Sequence, residues 1–304
     1  MDLLLTPISD SALSTWDLSL AEWFFYGSIG LFFFELLRYA FLKRLGWRLL
    51  GDSFANAAVF SGYTAVSYLV FYSLYGSLFF LTHELALFDI ESTWLTVAVC
   101  ILLADLLYYW EHRFTHRANL AWATHAVHHS SPHFNLSVAY RFGPLDDLWA
   151  ISFSLPLLLV GFEPFLVFFA TAFVLLYQTL LHTEAVGRLP RPIEAIFNTP
   201  SHHRVHHGRN PQYLDRNYGG IFIVWDRLFG TFAKEEERVV YGLVTQIETI
   251  NPIKVWLKSH FDLARDVVRA PGPLNKIAIL VKPPGWQPKK AKSGATRRAA
   301  EEGV

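Results

Sequence analysis

The sequence predicts an all-α fold, a bundle of membrane-spanning helices that carries a histidine-rich metal-binding cap. Of the 304 residues, 52% are hydrophobic and 17% are charged, and the mean hydropathy is +0.26. Soluble domains carry about 25% charged residues. Long apolar runs recur near the ~20 residues that cross a hydrocarbon core. Nine of the 13 histidines stand in three short windows beyond such runs.

The apolar runs predict about four transmembrane helices. Three runs are uninterrupted, at 22–37, 55–82 and 94–110. A fourth, at 148–181, is interrupted by Gly161 and Pro164 and is expected to form a helical hairpin whose first half is short, as in a re-entrant segment. The chain is therefore expected to be a multi-pass integral membrane protein, of the inner membrane if it is bacterial.

Basic residues orient these helices. No basic residue precedes Arg38, so no secretory signal is expected and the first run should remain as an anchor. Lys43, Arg44 and Arg48 follow that run, whereas the loop at 83–93 has no lysine or arginine. The positive-inside rule then places the amino terminus outside and all three histidine windows on the cytosolic side.

The expected organisation has four parts. Residues 1–20 form a lead-in, 21–245 a membrane-embedded catalytic domain with its core at 95–245, 246–286 amphipathic carboxyl-terminal helices, and 287–304 a disordered basic tail. Cys100 is the sole cysteine, which excludes disulfides within the chain and a protein-held iron-sulfur cluster. The net charge is zero, and nothing in the sequence suggests nucleic-acid binding.

The histidine spacing is that of metal ligands on helices. Residues three or four apart share a helix face, and the windows HRFTH, HAVHH and HHRVHH each contain such sets. Eight imidazoles exceed the four ligands of one structural zinc, so two neighbouring metals are predicted. These eight are His112, His116, His125, His128, His129, His203, His206 and His207.

Besides an enzyme that uses the bound metals, two other classes of protein are open at this point. A metal transporter would also place histidines in a membrane protein, but it predicts ligands near the bilayer midplane. The clustered histidines instead follow the ends of apolar runs. A catalytically silent binding or regulatory protein is the third class, against which the complete histidine windows argue.

The motifs HRFTH, HAVHHSS and SHHRVHHG, set between hydrophobic runs, resemble those of the fatty acid hydroxylase and sterol desaturase superfamily of integral-membrane non-haem diiron oxygenases. The resemblance covers about residues 95–245. Within it, NTPSHHRVHHGRNP and the later DRNYGGIFIVWDRLFGTF are most similar to the alkylglycerol monooxygenase branch and its bacterial relatives.

The resemblance implies roles for individual residues. The eight clustered histidines are implied metal ligands, and His182 in QTLLH fits the place of a ninth. Gln178 stands where some members have a further histidine, which implies a weaker ligand or an open position. His202 is assigned to support of the ligands, although it could share the face of His206. Asp105 and Glu184 are candidates to orient ligand imidazoles by accepting their second N–H.

The activity that the resemblance implies is oxidation of a lipid. Two iron ions with dioxygen as co-substrate would hydroxylate or desaturate a C–H bond of a lipid-like or sterol-like molecule from the bilayer. Ether-lipid monooxygenase and sterol desaturase are the specific alternatives. No GxGxxG fingerprint or fused cytochrome is present, so electrons are expected from an external reductase, ferredoxin or cytochrome, or from a pterin.

Overall fold

The computed structural model describes residues 2–288, and over that range it is helical, with isolated β-bridges and no sheet. Most of the predicted basic tail, including Lys289, Lys290 and Arg297, lies outside the described residues. The α-helices in chain order are α1 (Asp10–Phe41), α2 (Trp47–Val66), α3 (Tyr72–His83), α4 (Trp94–Arg117), α5 (Asn119–His129), α6 (Asp146–Val160), α7 (Pro164–Leu180), α8 (Arg191–Ile196), α9 (Pro200–His206), α10 (Val224–Phe229), α11 (Pro252–Arg269) and α12 (Gly272–Val281).

Two helices, α1 and α4, are long and apolar enough to cross a membrane. Their amino termini are capped, since Ser9 accepts a hydrogen bond from the amide of Ala12 and Thr93 forms a reciprocal capping box with Thr96. The apolar run 55–82, predicted as one span, is bent by 55° where a π-helical turn separates α2 from α3. If that bent pair is one span, the described part of the chain has three candidate spans.

The hairpin predicted at 148–181 forms from α6 and α7. These helices have 15 and 17 residues, so at 1.5 Å per residue they extend about 22 and 26 Å, short of a hydrocarbon core of about 30 Å. Gly161 ends α6 with φ of 121°, and a Cβ there would lie 2.0 Å from the carbonyl oxygen of Phe88. Only glycine fits this turn. The count of about four spans stays a prediction.

The apolar core lies between α1, α4, α6 and α7. Leu13, Leu158 and Leu166 are fully buried there, and Phe79 stacks on Phe168 with ring centroids 4.3 Å apart. Cys100 is buried in the same cluster, where its side chain packs as a small hydrophobic group. This core aligns α4 and α7, which lead to His112 and His116 and to His182 at one end of the bundle.

The two ends of the bundle are formed by different segments of the chain. At one end, the amide of Ile8 donates to the carbonyl of Ser92, and the amide of Ile90 donates to that of Gly161. At the other end, the last turns of α1 and α4 meet the histidine-bearing segments. The lead-in and the loop before α4 therefore lie opposite the histidines, which is the arrangement that the basic-residue rule requires.

A buried carboxylate on α1 ties that helix to the histidine end. Glu35 is 4% exposed and accepts hydrogen bonds from the amide of Leu136 at 2.7 Å and from the hydroxyl of Thr183. Thr183 directly follows His182. An acid inside an apolar helix thus holds two of the loops that surround the histidines, and both of its oxygens have a donor.

A second buried carboxylate, Asp52 on α2, pairs with Arg141. Both side chains are almost fully buried, and their closest N···O distance is 2.8 Å. The Arg141 guanidinium also donates to Asn56, to Ser130 and to the carbonyl of Val127. The segment after the second histidine window is therefore clamped to α2.

The carboxyl-terminal helices pack on the histidine end through one face. Val255 of α11 is fully buried against Val59 and Val127, and the indole of Trp256 donates to the carbonyl of Phe142. The opposite face of α11 leaves Ile253, Phe261 and Val268 more than two-thirds exposed. Helix α11 thus carries apolar side chains on its exposed face as well as on its packed face.

Replacing Asp52 with alanine should destabilise the fold by about 3–5 kcal/mol, because it leaves the Arg141 guanidinium buried without its charge partner. The control is Asp262→Ala, which breaks a surface pair with Lys258 on α11 and should cost less than about 1 kcal/mol. Thermal unfolding in detergent measures both. Equal losses in the two variants would contradict the assignment of Asp52 as a clamp.

Candidate metal centre

The three histidine windows and His182 converge at one end of the bundle. His112 and His116 lie in the last turns of α4, and the second window occupies the last two turns of α5. The third window forms α9, which Thr199 caps by accepting from the amide of His202. His182 follows α7 by two residues. Thr199 therefore fixes the start of the helix that carries the third window.

The imidazoles divide into two groups. In each group the ligand nitrogens all lie within 4.8 Å of one another, and His202 belongs to neither. The five-histidine group consists of His112, His116, His125, His129 and His206. The four-histidine group consists of His128, His182, His203 and His207.

The nitrogen separations suit ligands of a common ion. In the five-histidine group, Nε2 of His125 lies 3.1 Å from Nε2 of His112 and 3.2 Å from that of His129. In the four-histidine group, Nε2 of His182 lies 3.2 Å from that of His128 and 3.0 Å from that of His203. Metal–nitrogen bonds of about 2.0–2.1 Å put neighbouring ligands about 2.9–3.0 Å apart at right angles and about 3.4 Å apart in a tetrahedron.

Backbone carbonyls orient three of the rings. Nδ1 of His112 lies 3.0 Å from the carbonyl oxygen of Tyr218, and Nδ1 of His206 lies 2.9 Å from that of Arg216. Nδ1 of His182 lies 2.9 Å from the carbonyl oxygen of Gln178. Each carbonyl requires Nδ1 to carry the proton, which leaves the lone pair on Nε2 facing the group.

Other imidazole nitrogens are buried with nothing to bond. Among the described residues, Nε2 of His116 and of His207 and Nδ1 of His128 and of His203 have no hydrogen-bond partner. Burial lowers the pKa of His182 to about 4, and burial with neighbouring imidazoles holds the pKa of His128 and His207 far below its usual range. The rings are therefore neutral at physiological pH, as metal ligands must be. The residues present fit a metal centre.

Asp105 acts on the backbone beside the centre. Its carboxylate accepts hydrogen bonds from the amides of Ile221 and Phe222 and from the indole of Trp225 at 2.7 Å. A Cβ on Gly220 would lie 2.2 Å from that carboxylate, so the backbone can approach only as glycine. Asp105 thus fixes the segment that carries the Tyr218 carbonyl, rather than contacting an imidazole itself.

The other supporting candidates take separate positions. Glu184 is exposed and accepts a hydrogen bond from the hydroxyl of Tyr241 at 3.1 Å. His202 pairs with Glu194 at 3.0 Å. The side-chain amide of Gln178 donates to the carbonyls of Gly219 and Gly220. Of these three residues, Gln178 has the direct contact with a grouped histidine, because its backbone carbonyl bonds Nδ1 of His182. Its side chain lines the same cavity as His128, His182 and His203.

Sequence reasoning missed Asp226 and the backbone carbonyls. Asp226 is fully buried and accepts from the amides of Tyr218 at 2.8 Å and Gly219 at 2.7 Å. It therefore holds the same segment as Asp105 from the other side. The carbonyls of Arg216 and Tyr218 carry no sequence signal, since any residue type supplies one. The adjacent glycines in NYGG were the available indication of a close backbone approach.

A cavity of about 90 Å³ touches both histidine groups. His112 and His125 line it from the five-histidine group, and His128, His182 and His203 line it from the four-histidine group. The remaining lining comes from α2, α4, α6, α7 and the loop after α5, and includes Tyr63, Tyr108, Glu111, Thr115, Ala139, Phe142, Asp146, Asp147, Ala150, Leu175, Gln178 and Thr179. We refer to this space as the bundle cavity.

Comparison with known proteins identifies the same region. Residues 97–231 match the sequence model of the fatty acid hydroxylase family. The chain is 44% identical to human alkylglycerol monooxygenase over 211 residues, which cover 69% of the chain and 47% of that relative. It is 34% identical to an ornithine lipid hydroxylase of Rhizobium tropici over 137 residues, or 45% of the chain and 41% of the relative.

A more distant relative is mouse lathosterol oxidase, 28% identical over 151 residues, which cover 47% of the chain and 48% of the relative. The chain spans less than half the length of each of these three relatives. No solved structure matches it.

Replacing Asp105 with alanine should weaken metal retention by about 10–100-fold, because the segment carrying the Tyr218 carbonyl loses its carboxylate anchor. Glu184→Ala is the matched control, since its carboxylate contacts Tyr241 and no imidazole. The measurement is metal content after dialysis against a graded series of chelator concentrations. Equal retention by the two variants would show that the anchor does not serve the centre.

Proposed function

Because residues 97–231 form a fatty acid hydroxylase domain, we propose that this protein is a membrane-bound oxygenase that uses dioxygen and external electrons to oxidise a lipid C–H bond. The observation that carries the proposal is the pair of adjoining imidazole groups, one of five and one of four histidines. Both groups border the bundle cavity. Two metal sites with shared access to one cavity suit the oxidation of one substrate by two cooperating ions.

The nine histidines of the two groups are the proposed ligands. Five imidazoles exceed a tetrahedral set, which favours an ion with more than four ligands over structural zinc in that group. Iron is the metal proposed, since the resemblance of the motifs is to diiron oxygenases. Two bound iron ions would supply the oxidising power for attack on an unactivated C–H bond.

The chain itself fixes the orientations of the ligand rings and buries their side chains. The carbonyls of Arg216, Tyr218 and Gln178 fix three ring orientations. The first two carbonyls belong to the backbone segment that is held by Asp105, through the amides of Ile221 and Phe222, and by Asp226, through the amides of Tyr218 and Gly219. Eight of the nine ligand side chains are buried, and His125 is half-buried beside the cavity. The ligand side chains are therefore held in fixed orientations, and the cavity gives a substrate access to them.

The substrate proposed first is an ether lipid. Alkylglycerol monooxygenases of human and Danio rerio are 44% and 45% identical to the chain over 69% and 67% of its length. Hydroxylation of the alkyl chain is then the expected reaction, and sterol desaturation is the alternative that the lathosterol oxidases represent. Electrons are proposed to come from a separate reductase, ferredoxin or cytochrome, or from a pterin.

The proposed topology is multi-pass with the centre on the cytosolic side. It is supported by the two long apolar helices and by the separation of the lead-in from the histidines along the bundle. It is also supported by Lys43, Arg44 and Arg48, which lie between α1 and α2 or at the start of α2, at the histidine end.

His128→Ala and His206→Ala should each abolish product formation and release metal, since each removes one imidazole from a different group. The unmodified chain should hold about two iron ions. His83→Gln is the control, because this histidine lies at the end of α3 and belongs to neither group. Elemental analysis and lipid analysis under labelled dioxygen measure the two effects. Zinc as the sole bound metal, with unchanged lipids in a deletion strain, would reject the oxygenase proposal.

Topology is tested separately with reporters fused at two positions. A reporter after Leu120 should behave as cytosolic, because it lies at the histidine end, and one at Asp89 should behave as external. The reverse pattern would overturn the proposed orientation while leaving the proposed chemistry intact.

A further inference from the structure

Helices α11 and α12 leave part of their apolar side chains uncovered. Six large apolar side chains on these helices are more than half exposed: Ile253, Phe261 and Val268 on α11, and Leu274, Ile277 and Val281 on α12. Single exposed apolar side chains are ordinary on a protein surface, whereas several on one face mark a surface that another molecule covers. Neither the histidine groups nor the bundle cavity makes use of these side chains.

The exposed side chains form one stripe on each helix. At about 100° per residue, Ile253, Phe261 and Val268 of α11 fall within an arc of about 80°. The three side chains of α12 fall within an arc of about 60°, and the buried Ile279 points to the opposite side of that helix. We refer to these two sets as the apolar stripes. Each helix therefore has a defined face that the rest of the described chain does not cover.

Cations border the stripe of α11. All lysine, arginine and aspartate residues of this helix fall within an arc of about 120° that adjoins the stripe: Lys254, Lys258, Asp262, Arg265, Asp266 and Arg269. Within this set, Lys258 and Arg265 pair with the two aspartates. Lys254 and Arg269 have no acidic partner among residues 2–288. An apolar stripe with cations along its edge is the pattern of a helix at the boundary between lipid head groups and acyl chains.

Both ends of the helix pair are attached to candidate membrane helices. At the start of α11, Val255 and Trp256 pack on α2, and the indole ring lies against Gly62. At the end of α12, the amide of Asn119 donates to the carbonyl of Lys282 at 3.0 Å. This asparagine follows the candidate span α4 by two residues, and α2 belongs to the bent pair that is the third candidate span. The pair therefore extends along the histidine end of the bundle, where the spans reach the membrane surface.

The charges of α11 argue against a second copy of the chain as the molecule that covers the stripe. In a parallel contact between two copies of α11, Lys254 and Arg269 would each face the same residue of the other copy. In an antiparallel contact, Lys254 of one copy would face Arg269 of the other. Like charges oppose each other in both cases, and neither cation has an acid of its own to offset the repulsion. Phosphate groups at a bilayer surface instead attract both cations, so charge complementarity favours a lipid surface.

We propose that α11 and α12 lie in the membrane interface at the histidine end of the bundle, with the apolar stripes among lipid acyl chains and with Lys254 and Arg269 at the phosphate groups. The inference goes beyond the proposed function, because it assigns a lipid-binding surface that takes no part in oxidation. On its other side, α11 packs Val255 on Val127 of α5. The lipid surface therefore supports the helix that carries the second histidine window.

The test measures the depth of fluorescent labels on the full metal-loaded chain in phosphatidylcholine nanodiscs. The label is attached to single cysteines introduced as Phe261→Cys, Leu274→Cys, Lys254→Cys and, as the control in an exposed loop, Glu236→Cys. Cys100 is fully buried, so the native chain measures background labelling. The quenchers are a nitroxide on carbon 5 of the acyl chain, a nitroxide on the head group, and iodide in the water.

The expected quenching differs with position. Labels at Phe261 and Leu274 should lose at least about half of their fluorescence to the acyl-chain nitroxide and little to iodide, since both stripes face hydrocarbon. The label at Lys254 should respond most to the head-group nitroxide. The label at Glu236 should respond to iodide alone.

Polar substitutions test the stripe of α11 directly. Ile253→Gln combined with Phe261→Gln removes two of its side chains and should lower the acyl-chain quenching of a label at Val268→Cys by at least about twofold. Lys258→Gln is the matched control, because it introduces the same residue on the charged arc, and it should leave that quenching unchanged. All the substituted side chains are exposed, so the packing of Val255 on α2 is retained.

Iodide quenching of the labels at Phe261 and Leu274 would overturn the proposal, because the stripes would then face water. Protection of both labels from all three quenchers would overturn it as well, since protein, including a second copy of the chain, would then cover the stripes. Unchanged quenching in the double variant would also contradict it. Circular dichroism and metal content identify a variant that fails to fold, and the single-label chains then decide. Lipid oxidation is assayed separately, and its absence would reject the proposed function while leaving this inference intact.

Discussion

Burial of nine neutral imidazoles in two adjoining groups is the constraint on which the rest of the structure depends. Imidazole nitrogens 3.0–3.2 Å apart can bind a common metal only as neutral rings with their lone pairs directed at it, because a protonated ring has no lone pair for a metal and repels its neighbours. Each ring therefore needs a fixed orientation from outside the group. The carbonyls of Arg216, Tyr218 and Gln178 provide it for three of them. Those carbonyls in turn need a rigid backbone, which Asp105 and Asp226 supply.

The same constraint explains the buried acids of the apolar helices. Glu35 on α1 and Asp52 on α2 lie where an apolar residue would cost less, since a buried charge requires full compensation. Each instead bonds a segment that borders the histidines, Glu35 through Leu136 and Thr183 and Asp52 through Arg141. Acids inside the bundle thus connect its helices to the loops that border the histidines. Precision at the centre is gained from polar cross-links at some cost in stability.

The sequence predicted which histidines meet but not how they divide. Helical spacing placed His125, His128 and His129 on one face, and the structure separates His128 into the four-histidine group. The pairs four residues apart stay together, as His125 with His129 and His203 with His207, while His128 and His206 cross to the other group. Side chains three residues apart on a helix differ in direction by about 60° around the helix axis. One of two such imidazoles can therefore join the group on one side of the helix and the other imidazole the group on the other side. That choice depends on the relative positions of α4, α5 and α9, which no local pattern contains.

The residues that orient the ligands were less predictable than the ligands themselves, because their contacts also depend on the relative positions of distant segments. Asp105 was identified as an acid within an apolar helix, yet its partners are backbone amides more than a hundred residues away. Glu184 has the same residue chemistry and directly follows Thr183, but it faces Tyr241. A buried acid needs hydrogen-bond donors from the protein, whereas an exposed acid is solvated by water. The residue type alone does not tell these two cases apart, so burial has to be known as well. For Asp105 the apolar helix indicated burial, and for Glu184 the loop did not.

The two groups are unequal, and the difference lies at the wall of the bundle cavity. The five-histidine group has one imidazole more than the four-histidine group, and the cavity wall beside the latter carries Gln178, whose fixed amide oxygen is unpartnered. A tenth imidazole at this position would fill the space and add a strong ligand, whereas the glutamine leaves an acceptor that faces the cavity. Relative to the histidine that the resemblance implies at this position, the glutamine therefore replaces a strong metal ligand with an amide whose oxygen is buried without a partner among the described residues. The amide nitrogen of Gln178 also donates to the carbonyls of Gly219 and Gly220, so this residue ties the wall of the cavity to the backbone segment that Asp105 and Asp226 hold.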